Sequence, residues 1–425
     1  LVLQAFVLNT FILKAWVLKL VSLMKEKFKK AWHALPSGLR EWPLKVLCLL
    51  RMGPRRHVQA RVDGPMYIIG NFQAGGGLSR SAELYAQQLC ATAPHCLCVD
   101  VSREMLQSVK KPQEEGAFRR LAEVRGEEGE GTVIIHLNPP QFLWLLCKLG
   151  RKFFKRKHML AYWAWELEDI PSLWKFALRF VDAVEVPSTF TREAIAKNTE
   201  KPVRVHPHAV PQPSAVKQAY CQGGMLRCLL VFDMGSGMAR KNPQAAVAAF
   251  VRAFGPREAE LTIKIIQPKA HASDWEELQV LVAQHPHIRL VSEWMEEAAL
   301  ERLFLEHDVY LSLHRSEGYG LTLREALLRG LYVVATGWSG NMEFMEGERA
   351  FAVPYTLVPL NGVDKRWGKL PHARWAEPDI AKAAEMLQGI RLKLMALAGK
   401  KASTDEKTSA DKKASTGDKN GMPAE

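Results

Sequence analysis

Apolar positions along most of the chain fall into short runs, each followed by a small-residue loop and then by an amphipathic stretch. Residues 309–313 (VYLSL) read as a buried strand, rich in β-branched and aromatic side chains with few charges. A loop, Ser316-Glu317-Gly318-Tyr319-Gly320, leads into an amphipathic helix over Leu321–Leu328 that stops at Gly330. A second strand, Tyr332–Thr336, runs into Gly337-Trp338-Ser339-Gly340-Asn341. Each loop follows the C-terminal end of a strand and opens a helix. That spacing predicts backbone N–H groups aimed into one crevice, where helix N-termini favour a phosphate.

The same rhythm recurs. Strands are predicted at Met66–Gly70, 96–101, 132–137, 157–163, 181–188 and 203–210, then at 227–233, 261–267, 288–292 and 350–358. A Pro-rich turn at 207–213 and a polar stretch to Gly224 separate the two sets. The pattern is that of an α/β protein with parallel sheets, in two domains over residues 61–212 and 225–398. A helix is predicted over 242–254 and a closing one to about Leu397. Residues 399–425 contain a near-repeat of KKAST with almost nothing apolar and read as a disordered tail.

Residues 1–60 form a basic amphipathic N-terminal extension. Residues 1–24 are largely apolar, but the uncharged run is about thirteen residues, short of the roughly 20 a bilayer span needs. With the basic run at 25–30 and Arg51, Arg55 and Arg56, the segment reads as an interfacial helix lying on an anionic membrane surface. Packing on the protein's own surface is the alternative. A signal peptide fits poorly, because the charges follow the apolar run.

Charge changes the picture only locally. The net charge of +13 over 425 residues suggests a nucleic-acid binder, but residues 1–60 carry eleven Lys/Arg against two Glu. The excess sits beside the apolar helix, so nucleic acid is not an expected partner. Seven scattered cysteines, with no C-x-x-C, read as buried free thiols in a reducing compartment. His206 and His208 have no third ligand in view and read as structural. No D-x-D pair occurs, which agrees with a metal-independent mechanism, and no cofactor is expected.

Glu317 and Glu325 lie eight residues apart, one in the loop and one on the helix behind it. Carboxylates beside a phosphate site are unfavourable unless they accept hydrogen bonds from sugar hydroxyls, which points to a nucleotide sugar. In the second domain Arg240 and Lys241 follow a small-residue loop at a helix start, which suits a diphosphate. In the first, Gly76 and Gly77 lie in a glycine-rich loop that could approach phosphate or acceptor. His136 stands at a strand's C-terminal end. Glu166, in Trp165-Glu166-Leu167-Glu168, could accept acceptor hydroxyls.

The stretch Glu317-Gly318-Tyr319-Gly320-Leu321-Thr322-Leu323-Arg324-Glu325 resembles the donor signature of retaining glycosyltransferases with the GT-B fold, specifically glycosyltransferase family 4. The resemblance covers roughly residues 65–397. It implies two Rossmann-like domains facing across a cleft. It further implies transfer of a hexosyl unit, such as mannosyl or glucosyl, from a nucleoside-diphosphate sugar to a hydroxyl of a glycan or lipid-linked saccharide. Glu317 and the Gly318–Gly320 amides would hold the sugar and Glu325 the ribose, with Tyr319, Leu321 and Thr322 in the same donor loop. His136 would lie near the attack site, and Lys241 would stabilise the departing phosphate. The family commonly places an arginine five residues before the lysine; here that position is Ser236, which leaves open whether Arg240 stands in. The competing readings are a GT-B epimerase acting on a nucleotide sugar and a catalytically idle membrane scaffold. The expected location is cytoplasmic, peripheral on the inner face of the cytoplasmic membrane.

Overall fold

The computed structural model describes residues 37–60, 64–93, 95–105, 118–360, 370 and 372–417, for residues 37–40 and 399–417 the backbone alone. The chain divides into two compact units, Leu1–Ala209 with Leu360–Ala373, and Val210–Pro359 with Arg374–Glu425. The apolar segment and basic run expected within residues 1–36 lie outside the described residues, as do 418–425.

The first unit opens with helix α1 (Ser37–Met52) and then builds one parallel sheet. Its strands are β1 (Met66–Gly70), β2 (Cys96–Asp100), β3 (Arg119–Arg120), β4 (Glu130–His136), β5 (Arg156–Tyr162), β6 (Ala183–Val186) and β7 (Val203–Val205). The order is β3-β2-β1-β4-β5-β6-β7. The central strands β4 and β5 are buried at every position but the first, because helices such as α2 (Gly77–Cys90), α3 (Gln141–Phe154) and α4 (Thr189–Ala196) cover the sheet.

Helix α1 belongs to this unit. Cys48 and Met52 are buried, and Arg51 Nε donates to the Cys147 carbonyl on α3 at 2.9 Å. Arg55 donates to the Phe154 and Lys157 carbonyls, each at 2.7 Å, and to the Asp182 carboxylate. The sequence reading takes residues 1–60 as one extension with Arg51 and Arg55 in its basic flank. From Glu41 onward the segment instead packs on the first unit, with Arg51 and Arg55 donating to acceptors inside it.

The second unit has β8 (Leu226–Asp233), β9 (Ala259–Ile266), β10 (Ile288–Val291), β11 (Val309–Ser312), β12 (Tyr332–Thr336) and β13 (Ala350–Val353), all parallel, in the order β10-β9-β8-β11-β12-β13. Its helices include α5 (Met238–Lys241), α6 (Pro243–Ala253), α7 (Ala272–Ala283), α8 (Glu297–Glu306), α9 (Leu321–Leu328) and α10 (Ile380–Gly417). Both sheets therefore place their first strand centrally and reverse direction between it and the fourth. The fold class is GT-B, with a Rossmann-like parallel sheet in each unit, and ligands in such sheets collect where the order reverses.

Four local readings change. The single strand expected at 350–358 breaks at Pro354, which cannot donate to a ladder; beyond it β14 (Tyr355–Pro359) pairs antiparallel with β15 (Arg374–Pro378). The helix expected over 242–254 is preceded by the separate turn α5, because Asn242 adopts a left-handed conformation (φ 50°) ahead of Pro243. Residues expected in the linker pack on the second unit: Lys217 N–H donates to the Arg329 carbonyl at 2.9 Å and Tyr220 to the Gly330 carbonyl at 2.7 Å. Helix α10 runs to Gly417, past the expected stop near Leu397 and through most of the expected disordered tail. Lys, Ala and Glu favour helix even where there is no apolar face to bury.

Candidate active site

In the second unit β8 and β11 are neighbours at the point where strand order reverses. The chain leaving β8 turns through Met234–Ser236 and forms α5, whose last residues are Arg240 and Lys241. The chain leaving β11 carries Glu317. The Lys241 ammonium donates to Glu317 Oε1, and Arg240 Nη1 lies 3.2 Å from Glu317 Oε2. Burial opposes the charge on Glu317, but Lys241 and Arg240 together outweigh it and hold the carboxyl down at about 2. Glu317 is therefore an anion gripped by two cations, 76 residues or more away along the chain.

The two cations differ in their surroundings. Arg240 is buried, donating to the Ser316 carbonyl at 2.8 Å and, through Nε, to the Ser236 carbonyl at 3.3 Å. Thus Ser236, the position where an arginine was expected, supplies a backbone acceptor to Arg240. The Lys241 side chain keeps 16% of its surface, which makes it the more accessible charge for a ligand.

The loop geometry is set by backbone contacts. Glu317 N–H donates to Ser339 Oγ at 2.8 Å, and Gly340 N–H donates to the Glu317 carbonyl at 2.9 Å. Ser339 holds a φ of 80°, uncommon for a residue with a side chain. A Cβ on Gly340 would lie 2.1 Å from the Gly318 oxygen, so the Gly337–Asn341 loop reaches the donor-signature loop only with glycine there. Gly320 precedes α9 with φ 90°, and the first-turn amides beyond it, at Leu321 and Thr322, have no intrahelical acceptor by geometry. Tyr319 is buried and packs on Phe344, their ring centres 5.0 Å apart.

Glu325 lies half-buried on α9. Near both acids sits Tyr310, whose hydroxyl donates to the Val231 carbonyl at 3.0 Å and accepts from the Thr322 hydroxyl at 2.7 Å. Burial raises the Tyr310 phenol, and the charges of Glu317 and Glu325 add to it.

Two residues of this site escape the sequence reading. Arg315 N–H donates to the Arg240 carbonyl at 2.7 Å, its Nη1 to the Ala239 carbonyl at 2.6 Å, and its Nε and Nη2 to Glu377 at 2.6 and 3.1 Å. It ties α5, the signature loop and β15 together. His314 is fully buried, has no hydrogen-bond partner at either ring nitrogen, and is pushed down to about 4 by burial. Nothing in spacing marks either residue, since both roles depend on segments distant in sequence.

In the first unit His136 ends β4 beside Gly70 of β1. It is buried, stacks on Tyr162 with ring centres 4.4 Å apart, and meets Ser81 Oγ at 3.1 Å. Burial pushes it down to about 3, so it is neutral at physiological pH. His208, read as structural, joins the same group: its Nδ1 lies 3.2 Å from the Tyr162 hydroxyl and 3.4 Å from Ser81 Oγ. His206 meets Gln88 and Glu185. Gly76 precedes α2 with φ 85° and Gly77 begins it, at the same C-terminal edge of the sheet. Glu166 is half-buried beyond β5. Trp163 and Trp165 beside it are buried, and Trp165 packs against Trp174 with ring centres 4.6 Å apart.

The family model "Family 4 Glycosyltransferase in conflict systems" matches residues 185–398, just over half of the chain, including both cations and both carboxylates of the second unit. The chain belongs to this family. No match came from a search of curated proteins. Among solved structures, this family 4 glycosyltransferase is similar to Anabaena Alr3699/HepE in complex with UDP and glucose, over 81% of this chain and 100% of that one, at 13% identity and a TM-score of 0.50. A glycosyltransferase from Rickettsia africae matches over 80% and 97% of the two chains, at 15% identity and a TM-score of 0.48. The lipopolysaccharide outer core galactosyltransferase WaaB, in apo form, matches over 67% and 83%, at 13% identity and a TM-score of 0.49. At 13% identity the likeness to the Anabaena protein concerns the fold alone.

Proposed function

We propose that this family 4 glycosyltransferase moves a hexosyl unit, such as mannosyl or glucosyl, from a nucleoside-diphosphate sugar to a hydroxyl of a glycan or lipid-linked saccharide, with retention at the anomeric carbon. The observation that carries the reading is the ion triplet of Lys241, Arg240 and Glu317 at the reversal point of the second sheet. One cation of this triplet is partly exposed, and the anion stays ionised well below neutral pH. The Anabaena protein, whose solved complexes contain UDP-glucose or UDP with glucose, shares this fold and lends support to a nucleotide-sugar donor.

In this reading the bond from the anomeric carbon to the β-phosphate oxygen breaks, and charge gathers on the departing diphosphate. Lys241 and the first-turn amides of α9 stabilise it; one such donor is typically worth about 100- to 1000-fold in rate. Glu317 and the Gly318–Gly320 amides hold the sugar, Tyr319, Leu321 and Thr322 shape the loop, and Glu325 accepts from the ribose. The departing phosphate takes the acceptor's proton as the new carbon–oxygen bond forms on the same face. Gly76, Gly77 and Glu166 face the acceptor, and His136 contributes as a neutral imidazole near the attack site. No metal or cofactor is required. Membrane contact through the N-terminal segment would bring a lipid-linked acceptor to the enzyme on the cytoplasmic side; among the described residues no helix is long and apolar enough to cross a membrane.

Incubation with a panel of UDP- and GDP-sugars and saccharide acceptors tests the proposal. Acceptor-dependent nucleotide release with an α-configured product from an α-linked donor is the expected result. Epimerised sugar without transfer, or no nucleotide binding at all, would overturn it. The activity should survive exhaustive chelation, since cationic side chains and amides take the metal's part; loss in EDTA restored by magnesium or manganese would count against that mechanism.

A further inference from the structure

Three cysteines of the first unit converge at the opposite edge of its sheet from His136. Cys90 is the last residue of α2, Cys96 the first of β2, and Cys98 lies two residues further along the same strand. Side chains at i and i+2 of a strand share a face, so Cys96 and Cys98 point the same way, and the tight turn brings Cys90 to them. The three sulfurs all lie within 4.8 Å of one another, and each residue is half-buried. Cys90 and Cys96 are joined as a disulfide, with Cα atoms 5.3 Å apart, and Cys98 Sγ is 3.8 Å from Cys90 Sγ. Here the expectation of free thiols throughout is corrected: the pair lies six positions apart in sequence, and only the helix–strand turn brings them together.

We propose that, when reduced, Cys90, Cys96 and Cys98 form a three-thiolate site for a soft divalent cation, zinc by ligand type. Three thiolates are the ligand set such ions select. A tetrahedral centre with metal–sulfur bonds of about 2.3 Å places its sulfurs roughly 3.8 Å apart, which is the separation of Cys90 and Cys98. The end of α2 adds to this, because the last-turn carbonyls of a helix attract positive charge. The position argues for stability over catalysis, since ligands for chemistry gather at the other edge of such sheets.

One dithiol, or two monothiols, gives two electrons and two protons, and the disulfide becomes two thiols. The cation then forms three metal–sulfur bonds, releases three protons, and keeps water as its fourth ligand. This proposal is independent of the transferase reading.

The test uses the full chain, reduced with a dithiol and desalted without oxygen. Under denaturant the thiol count should rise from five, the free cysteines, to seven, the total in the sequence. Titration with cadmium should give an ultraviolet thiolate-to-metal band saturating at one ion per chain, displaced by zinc, with three protons released. Cys98→Ser leaves the Cys90–Cys96 pair in place and should stay folded by circular dichroism. It should weaken cadmium binding by more than roughly 100-fold, beyond what loss of a second-shell partner costs. No band in the reduced chain, an unchanged band in Cys98→Ser, or a disulfide that resists the dithiol would each overturn the proposal.

Discussion

Glu317 and the buried histidines draw their properties from the same balance of burial against neighbouring charge, with opposite results. Glu317 stays ionised because two cations face it, so its removal should act on the chemistry. Glu317→Gln keeps the shape and loses the charge, and kcat should fall much more than KM rises. Glu325→Ala should instead raise the KM for the donor, since a hydrogen bond to a charged acceptor is worth about 1.5–3 kcal/mol. Steady-state kinetics on both variants would separate these roles, and two unchanged enzymes would remove the donor-site assignment. The histidines titrate the other way. His136 and His208 are depressed to about 3, and His307 and His314 to about 4, all below the ordinary value near 6.5. As pH falls below 6.5 the unfolded chain takes up protons that the folded chain refuses. Stability is therefore complete above about 6.5 and is lost progressively toward 4 and 3, at about 1.4 kcal/mol per pH unit for each group. Glu317 adds a further loss between its ordinary value and about 2. Urea midpoints measured from pH 7.5 to 5 should fall, and His314→Leu should shallow the slope with little loss at pH 7.5, because His314 makes no hydrogen bond to forfeit.

At the scale of elements, the site depends on two loops meeting across the C-terminal ends of β11 and β12. Gly340 is the contact point, with the Gly318 carbonyl where a side chain would begin. Backbone cannot yield as a flexible side chain does, so Gly340→Ala should cost at least about 1–3 kcal/mol and abolish donor turnover. An active variant of unchanged melting temperature would show that the loops do not meet in this way. The two loops were legible in the sequence because each follows a run of buried β-branched residues and carries its glycines locally. Lys241 was legible for the same reason, as a cation beside small residues. Arg315, His314 and the Ser339 contact were not, because their meaning comes from β15, α5 and the Glu317 amide, which only the folded sheet brings near. The edge strand β3 is two residues long, too short for any period to register. The Pro354 break is masked by the strand-like residues on either side of it. Helix α1 was hidden by its own composition: basic and amphipathic, it reads as an appendage until Cys48 meets Cys147, their sulfurs 3.0 Å apart.

For the whole molecule, the decisive matter is which part of the N-terminal segment serves the fold and which could serve a membrane. Asp182 is buried and accepts from Arg55, from the Met159 amide at 2.8 Å and from the Val58 amide at 3.3 Å, with His57 Nδ1 at 3.2 Å. Deleting residues 1–60 removes Arg55, His57 and Val58 together and leaves a buried carboxylate without its cation, a loss worth roughly 3–5 kcal/mol. It also uncovers the apolar face of α3 on which Cys48 and Met52 pack. That truncation should therefore yield an unstable or aggregated first unit. Helix α1 also carries Trp42, Leu49 and Leu50 outward, at 62%, 42% and 37% exposure; at spacings of seven and eight residues they share one face. If an anionic membrane is the partner, the basic and apolar residues of 1–36 attract it together with this face. Each Lys or Arg near such a surface contributes about 1 kcal/mol, reduced by salt. Flotation with anionic vesicles should be strong for the full chain, weaker but detectable for the chain lacking residues 1–36, and lower still when Trp42→Glu and Leu49→Glu are added. High salt should weaken the first of these most, because only it retains the basic run. Equal flotation of all three, or none with any vesicle, would rule out the membrane role and leave α1 a purely internal element.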